Sequence, residues 1–139
     1  CRFGDPETQP IMLRLESDLV ELCLKACEGK LDEVKSQWNP KASLGIVLAA
    51  EGYPGDYRKG DEISGLPQSA VENEKVFLAG VEAKAGKLVT NGGRVLCATA
   101  LGESVFEAQQ KALKLAEQIQ WNGRFYRRDI GYRAVAREQ

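Results

Sequence analysis

The run Arg2-Phe3-Gly4-Asp5-Pro6-Glu7-Thr8-Gln9 packs a guanidinium, two carboxylates and a helix start into one short stretch. A guanidinium so placed can grip a carboxylate or phosphate through parallel hydrogen bonds. A helix N-terminus supplies backbone N–H donors for the same kind of anion. The plainer reading is helix capping beside a surface ion pair. Two glycine-rich stretches follow, Gly52 to Gly60 and Asn91-Gly92-Gly93-Arg94, of the sort that lets backbone approach a ligand closely. Neither has the Gly-x-x-x-x-Gly-Lys-Ser/Thr order of a phosphate-binding P-loop, and tight turns between strands use the same residues. The tail then interleaves Arg124, Arg127, Arg128, Arg133 and Arg137 with Phe125, Tyr126 and Tyr132. That mixture can stack on bases, but a solvated or inter-domain face has the same composition. Alone, these three features describe a ligand-binding α+β domain and nothing sharper.

Charge and cysteine usage narrow the classes. Lys and Arg number 19 against 20 Asp and Glu, for a net charge of −1. A protein that tracks the nucleic-acid backbone needs a cationic surplus to displace counterions, and none is present. No apolar run approaches the roughly 20 residues that span a bilayer. No nucleic acid and no membrane is therefore expected as a partner, and a local anion site for a nucleotide or sugar phosphate stays open, because such a site needs only a few groups. The four cysteines are Cys1, Cys23, Cys27 and Cys97, and the chain has no histidine to complete a zinc set. Cys23 and Cys27 share one face if helical. They would make half a metal site or, as is commoner, sit buried on an apolar stripe. Unpaired thiols of that kind suit a reducing, cytoplasmic setting.

The elements that must position these residues can be read from period and punctuation. Asp5-Pro6-Glu7 predicts a helix start with Asp5 at the N-cap and Pro6 in the first turn. Ser17-Asp18 predicts a second N-cap, with Leu19, Leu22, Cys23, Ala26 and Cys27 forming a stripe that packs against another surface, and Gly29 ending it. Leu44 to Ala49 reads as a strand, Pro54-Gly55 as the centre of a type II turn, and Lys75 to Val81 and Lys87 to Thr90 as strands. Asn91-Gly92 predicts a hairpin joining the last of these to Arg94–Ala100, with Gly93 as an alternative bulge. Ser104-Val105-Phe106-Glu107 has the form of a capping box. It opens a helix with Val105, Ala108, Ala112, Leu115, Ala116 and Ile119 on its apolar face. The fold class is α+β: N-terminal helices, then a small antiparallel sheet or partial barrel with a packed C-terminal helix.

Arg2 to Gln9 is similar to the signature of the phosphoribosylamine–glycine ligases, also called glycinamide ribonucleotide synthetases. Three further segments resemble the same family in order along the chain. They are Leu48-Ala49-Ala50 with Gly52-Tyr53-Pro54-Gly55-Asp56-Tyr57 and Lys59-Gly60; Thr90-Asn91-Gly92-Gly93-Arg94-Val95-Leu96; and Arg128-Asp129-Ile130-Gly131-Tyr132-Arg133-Ala134. Glu51 departs from the pattern, standing where family members often carry glycine.

The resemblance implies an ATP-grasp ligase that uses Mg²⁺ and ATP to join glycine to 5-phosphoribosylamine, giving glycinamide ribonucleotide for purine biosynthesis. It implies that residues 1–40 are the end of the ATP-grasp catalytic domain and residues 41–139 the ligase's C-terminal domain. The family's magnesium ligands, a glutamate and an asparagine, immediately precede the arginine motif, and its ATP-gripping lysines lie further upstream. With Cys1 opening inside a motif and Met12 the only methionine, more chain is expected upstream, and these residues by themselves are expected to be inactive and to hold no cofactor. Arg2, Asp5 and Glu7 carry over as substrate-side residues. Asn91, Gly92, Gly93 and Arg94 carry over as a contact with the catalytic domain or its ligands, or as a plain hairpin. No catalytic residue and no metal ligand is assigned to this chain. The alternatives are a stand-alone, non-catalytic binding module on the same scaffold, and a thiol or metal regulator built on the cysteines.

Overall fold

A computed structural model of the chain describes residues 2–138. Cys1, which precedes the N-terminal motif, lies outside the described residues. Helix α1 (Thr8–Arg14) and helix α2 (Leu19–Cys27) are followed by a 3₁₀ turn (Leu31–Glu33) and strand β1 (Ala42–Ala49). Then come β2 (Glu74–Leu78), β3 (Val81–Lys84), β4 (Lys87–Thr90), β5 (Arg94–Gly102), helix α3 (Val105–Gln118) and the short α4 (Tyr132–Val135).

Strand β5 lies between β1 and β2, antiparallel to both. Alternate residues of β1, Leu44, Ile46 and Leu48, face inward with Leu96, Ala98 and Ala100 of β5 against α3. Helix α3 meets them with Ala108, Ala112, Leu115 and Ala116, as its spacing predicts. Three alanines on that face let the helix axis come close to the sheet, and each fully buried Leu or Ile contributes roughly 1.5–3 kcal/mol. Helix α1 packs across β1 and β5 as well. Its Pro10 fills the space left by Gly45, where an added Cβ would stand 3.1 Å from Pro10 Cγ and 2.8 Å from Cys97 Sγ.

Helix α3 has Ser104 at its N-cap as expected, but the return bond of the capping box falls one residue earlier, on Glu103. Ser104 Oγ accepts from Glu107 N–H at 3.1 Å, and a Glu107 carboxylate oxygen accepts in return from the N–H of Glu103 at 2.7 Å. Glu138 adds a second cap from the tail, accepting from Val105 N–H at 2.6 Å and Phe106 N–H at 3.1 Å.

The β3–β4 hairpin forms a second, two-stranded sheet. Hydrogen bonds connect the two sheets into an incomplete barrel. Ala79 and Gly80 continue the pairing of β2 along β5, Ile63 N–H bonds Leu88 O, Ser64 and Gln120 exchange both bonds, and Phe125 and Ala49 do the same. The expected sheet or partial barrel with a packed helix is present.

Several local expectations are corrected. The first helix begins at Thr8, with Glu7 at its N-cap and no side-chain cap bond; Asp5 is drawn away by Arg94. The turn after β1 is shifted one residue: Gly55 N–H bonds Gly52 O at 2.8 Å, so Tyr53 and Pro54 are central, and the positive φ of 90° falls on Gly52. The predicted strand Lys75–Val81 is interrupted at Ala79-Gly80, where the chain crosses from one sheet to the other. Asn91-Gly92 is not a hairpin, because β4 pairs with β3 and β5 with β1 and β2. The hairpin turn is instead Ala85-Gly86, with φ of 49° and 78°, a place where alanine gives no signal.

Helix α2 is capped by Asp18, which accepts from Val20 and Glu21 N–H. It ends at Gly29 with φ 70°, and Lys30 N–H bonds Lys25 O at 2.9 Å in a Schellman closure. Its apolar stripe is only partly covered: Leu19 and Leu22 are half-buried, Cys23, Ala26 and Cys27 are exposed, and Val20 and Leu24 beside it stand at 66% and 59% of full accessibility. The segment leaves the sheet and returns through a clasp in which Glu16 N–H bonds Gln37 O at 3.0 Å and Asn39 N–H bonds Arg14 O at 2.8 Å. Arg14 adds two guanidinium bonds to Asn39 O, each of 3.1 Å. That clasp lifts α2 away from the body, so Cys23 and Cys27 are exposed and the expected buried stripe is overturned.

Two outcomes are expected. A thiol alkylator at neutral pH will label Cys23 and Cys27 in the native protein and spare Cys97, which is buried beside Thr99 and whose thiol burial pushes above its ordinary value; peptide mass mapping reads this. The Glu107 carboxyl is held below its ordinary 4.5 by its bonds to Lys111 and to the Glu103 N–H. A depressed folded value stabilises above 4.5 and loses that contribution as pH falls through the folded value. Denaturant midpoints below that pH will fall less steeply for Glu107→Gln than for the wild type.

Candidate functional site

The start of β5 is fixed from both sides. Ala50 N–H bonds Gly93 O at 2.8 Å, Gly80 N–H bonds Arg94 O at 3.1 Å, and Asn91 N–H bonds Gly80 O at 2.7 Å. Gly92 and Gly80 touch backbone to backbone: a Cβ on Gly92 would stand 2.8 Å from Gly80 Cα. A Cβ on Gly93 would stand 2.8 Å from Tyr53 Cε2 and 3.1 Å from Tyr57 Cε1. Those two rings, 6.3 Å apart and tilted by 60°, roof the glycine segment. The glycines at 92 and 93 are thus explained by contact, not by a turn.

This fixed backbone aims Arg94 at the N-terminal motif. Its Nε lies 3.2 Å from Asp5 Oδ2, its Nη1 donates to the backbone oxygen of Asp5 at 3.1 Å, and its guanidinium rides 5.8 Å above the Tyr53 ring. Asp5 and Arg94 are each partly exposed. A mostly apolar cavity of about 250 Å³ opens beside the pair, walled by Pro6, Gly45, Val47, Tyr53, Phe125 and Tyr126. Arg94, Arg127 and Ile130 reach its margin. All four segments singled out in the sequence have residues on this one cavity or on the pair beside it.

The nominated residues behave differently from one another. Asp5 and Arg94 are brought together. Arg2 is exposed, and its Nη1 donates only to the neighbouring Phe3 O at 3.2 Å. Glu7 is exposed, with its carboxyl folded against Gly4. Neither Arg2 nor Glu7 joins an ion pair among the described residues. Asn91 and Gly92 serve the crossing of two backbones. Val47 escapes sequence reasoning as a lining residue, because its spacing shows only a strand, with Gly45, a lone glycine inside that strand, as the one nearby signal; Tyr53 and Tyr126 lie in stretches singled out above, but nothing in the sequence joins them on one cavity.

The tail arginines are mostly spent on the protein itself. Arg124 donates to the carbonyls of Ala116 and Ile119, closing the end of α3, and lies 4.9 Å above Tyr126. Arg128 approaches the same ring at 5.4 Å and bonds Glu117 at 2.6 Å. Arg127 pairs with Asp129 at 2.6 Å and holds that carboxyl below its ordinary value. Two guanidinium groups thus approach the Tyr126 ring, which also lines the cavity. Glu51, the departure from the family pattern, packs its Cβ over Gly123. Among the described residues, no three His, Cys, Asp or Glu side chains are grouped as a metal centre requires. No helix among them is long and apolar enough to cross a membrane.

Gly93→Val is expected to destabilise the fold by about 1–3 kcal/mol, since the roofing rings must move to admit the side chain. Chemical denaturation measures it, and an unchanged midpoint would contradict the packing described.

A family profile described as "Phosphoribosylglycinamide synthetase, C domain" matches residues 43–133. The chain is 88% identical over 138 residues to a phosphoribosylamine–glycine ligase of Haemophilus influenzae, covering 99% of this chain and 32% of that protein. It is 81% identical to the ligase of Pasteurella multocida, over 100% of this chain and 32% of the relative. The crystal structure of the ligase from Thermotoga maritima superposes with a TM-score of 0.78 at 43% identity, over 92% of this chain and 31% of that one. The chain thus spans about a third of the length of the relatives it matches. Profile, sequence and backbone agree, and the chain belongs to the phosphoribosylglycinamide synthetase family, whose C domain it carries.

Proposed function

We propose that this chain works as the C-terminal part of an ATP-dependent ligase that joins glycine to 5-phosphoribosylamine. In that reaction ATP phosphorylates the glycine carboxylate, and the sugar amine attacks the acyl phosphate to give glycinamide ribonucleotide, ADP and phosphate. One observation carries the reading: the four family segments, far apart in the chain, meet around Arg94 and its cavity. We assign residues 1–40 to the end of the catalytic domain and residues 41–139 to the C-terminal domain. The partly exposed stripe of α2 is then the surface facing the remainder of the catalytic domain, in the cytoplasm.

Within this reading the chain's own residues have distinct tasks. Arg2, exposed and free of an acidic partner among the described residues, binds an anionic group of substrate or acyl phosphate. Glu7, equally exposed, accepts from the substrate amine. Asp5 is committed to Arg94 and holds the loop rather than the substrate. Asn91 to Arg94 form the joint behind that loop. Mg²⁺ offsets phosphate charge in reactions of this class, and on this reading its ligands are a glutamate and an asparagine that precede the arginine motif. Glycine, 5-phosphoribosylamine and ATP would be gripped chiefly by residues outside this chain.

The 139-residue chain, incubated with glycine, 5-phosphoribosylamine, ATP and Mg²⁺, is expected to give no glycinamide ribonucleotide, while a longer protein that carries an ATP-grasp region ahead of these residues gives it. In that longer protein Arg2→Ala should lower kcat/KM by about 10²-fold, the loss of one preorganised charged contact. Product from the isolated chain, or an inactive longer protein, would reject the proposal. Tight nucleotide binding by the chain alone would favour a stand-alone binding module.

A further inference from the structure

Four features make Arg94 unlike an ordinary surface arginine. Its backbone is held at both ends, by Gly93 O to Ala50 N–H and by Arg94 O to Gly80 N–H. The two residues before it have no room for side chains, so its Cα has little freedom. Its guanidinium makes two different bonds to one residue, Nε to the Asp5 carboxylate at 3.2 Å and Nη1 to the Asp5 carbonyl at 3.1 Å. Tyr53 supports the guanidinium from below at 5.8 Å.

A bond to a side chain alone leaves a loop free to pivot about that side chain. A second bond to the same residue's backbone removes the pivot. The planar fork of arginine can make both at once; the single ammonium of lysine cannot. Asp5 sits between Arg2 and Glu7, both exposed and both otherwise untethered to the body by ion pairs among the described residues. The stretch from Arg2 to Glu7 has no strand pairing of its own, and only Thr8 begins α1. Gly4 O accepts from Thr8 N–H at 3.3 Å and from Thr8 Oγ1, and Gln9 Nε2 donates to Asp5 Oδ1 at 3.4 Å, which ties the stretch to α1; among the described residues its direct hydrogen bonds to the sheet are those of Arg94 to Asp5.

We propose that Arg94 is a positioning residue for the ligase reaction, fixing Arg2 and Glu7 at the site through its two-point grip on Asp5. This rests on the ligase reading above and adds to it a division of labour: Arg94 touches no substrate, and Asp5 is its handle. Because both contacts act through one residue, losing Arg94 and Asp5 together should cost no more than losing Arg94 alone.

The test has two arms. In the 139-residue chain, hydrogen–deuterium exchange of the residue 2–9 amides should quicken by about threefold or more in Arg94→Ala and Arg94→Lys, with exchange in β5 unchanged. Asp5→Ala, which removes only a partly exposed side chain and leaves the sheet intact, should give an intermediate effect. In the longer, active protein, Arg94→Ala and Arg94→Lys should each lower kcat by about tenfold or more, as misplaced groups do, while KM for ATP stays within about twofold. The Arg94→Ala, Asp5→Ala double variant should match Arg94→Ala. Unchanged exchange in residues 2–9 would overturn the proposal even if kcat fell, since Arg94 would then act directly on a ligand. Quickened exchange with unchanged kcat would overturn it too, leaving a purely structural pair. Should the wild-type longer protein lack ligase activity, the ligase reading fails and with it the catalytic purpose assigned to Arg94; the exchange arm then still decides whether the grip orders the loop.

Discussion

Two backbones cross at Gly92 and Gly80 with no space for a side chain on either. The rest of the site follows from that contact. It lets the chain pass from the small β3–β4 sheet into β5 without a gap between the two sheets, and it seats Gly93 beneath the tyrosine pair. From there β5 can start in only one place. Its register with β1 runs from Arg94 opposite Ala49 to Gly102 opposite Ala42, with a single irregularity near Leu48. The position of Arg94, and through it of Asp5, follows from that close approach together with the backbone bonds of Gly93 to Ala50 and of Arg94 to Gly80.

The middle strand explains why such a contact is tolerated. Strand β5 is buried along nearly its whole length, covered by α3 on one face and approached by α1 on the other. Polar groups inside are few, and not all are paired: among the described residues Gln9 Oε1, Ser43 Oγ, Trp121 Nε1 and Tyr126 OH are buried without a hydrogen-bond partner. Thr99 bonds the Cys97 thiol at 3.4 Å, and Gln109 donates to Ile130 O at 2.7 Å, tying the tail to α3. Small residues recur wherever two elements touch: Ala98 and Ala100 against Ala108 and Ala112, Gly45 against Pro10, Gly131 against Leu44. Close packing of this kind leaves the rim, not the core, for ligand chemistry.

What the amino-acid order discloses divides along a physical line. Local chemistry is legible: Asp18 and Ser104 as caps, Gly29 as a left-handed stop, the apolar stripe of α3. These depend on neighbours within a turn or two. Long-range pairing is not. Asn91-Gly92 has the strongest hairpin signature in the chain, yet its strands belong to different sheets, while the real hairpin turns on Ala85-Gly86. Asp5 carries an N-cap residue's chemistry but is claimed by an arginine far along the chain. The stripe of α2 is apolar, as its period indicates, yet no residue of it is fully buried, because period reports which face is greasy and says nothing of whether a partner is within reach. The family motifs mark the right segments; only the folded chain reveals that they share a cavity.

The clasp at the base of α2 has a thermodynamic corollary. Residues between Ser17 and Gln37 join the body through a short ladder and the two Arg14 bonds, and bury no side chain fully. Free energy of opening should therefore be graded, low in this excursion and high in β5, so that the helix melts as its own cooperative unit while the barrel stays shut. A segment so loosely coupled can tilt or re-dock without transmitting distortion inward, which makes it the natural shock absorber between the rigid sheet and whatever moves beside it.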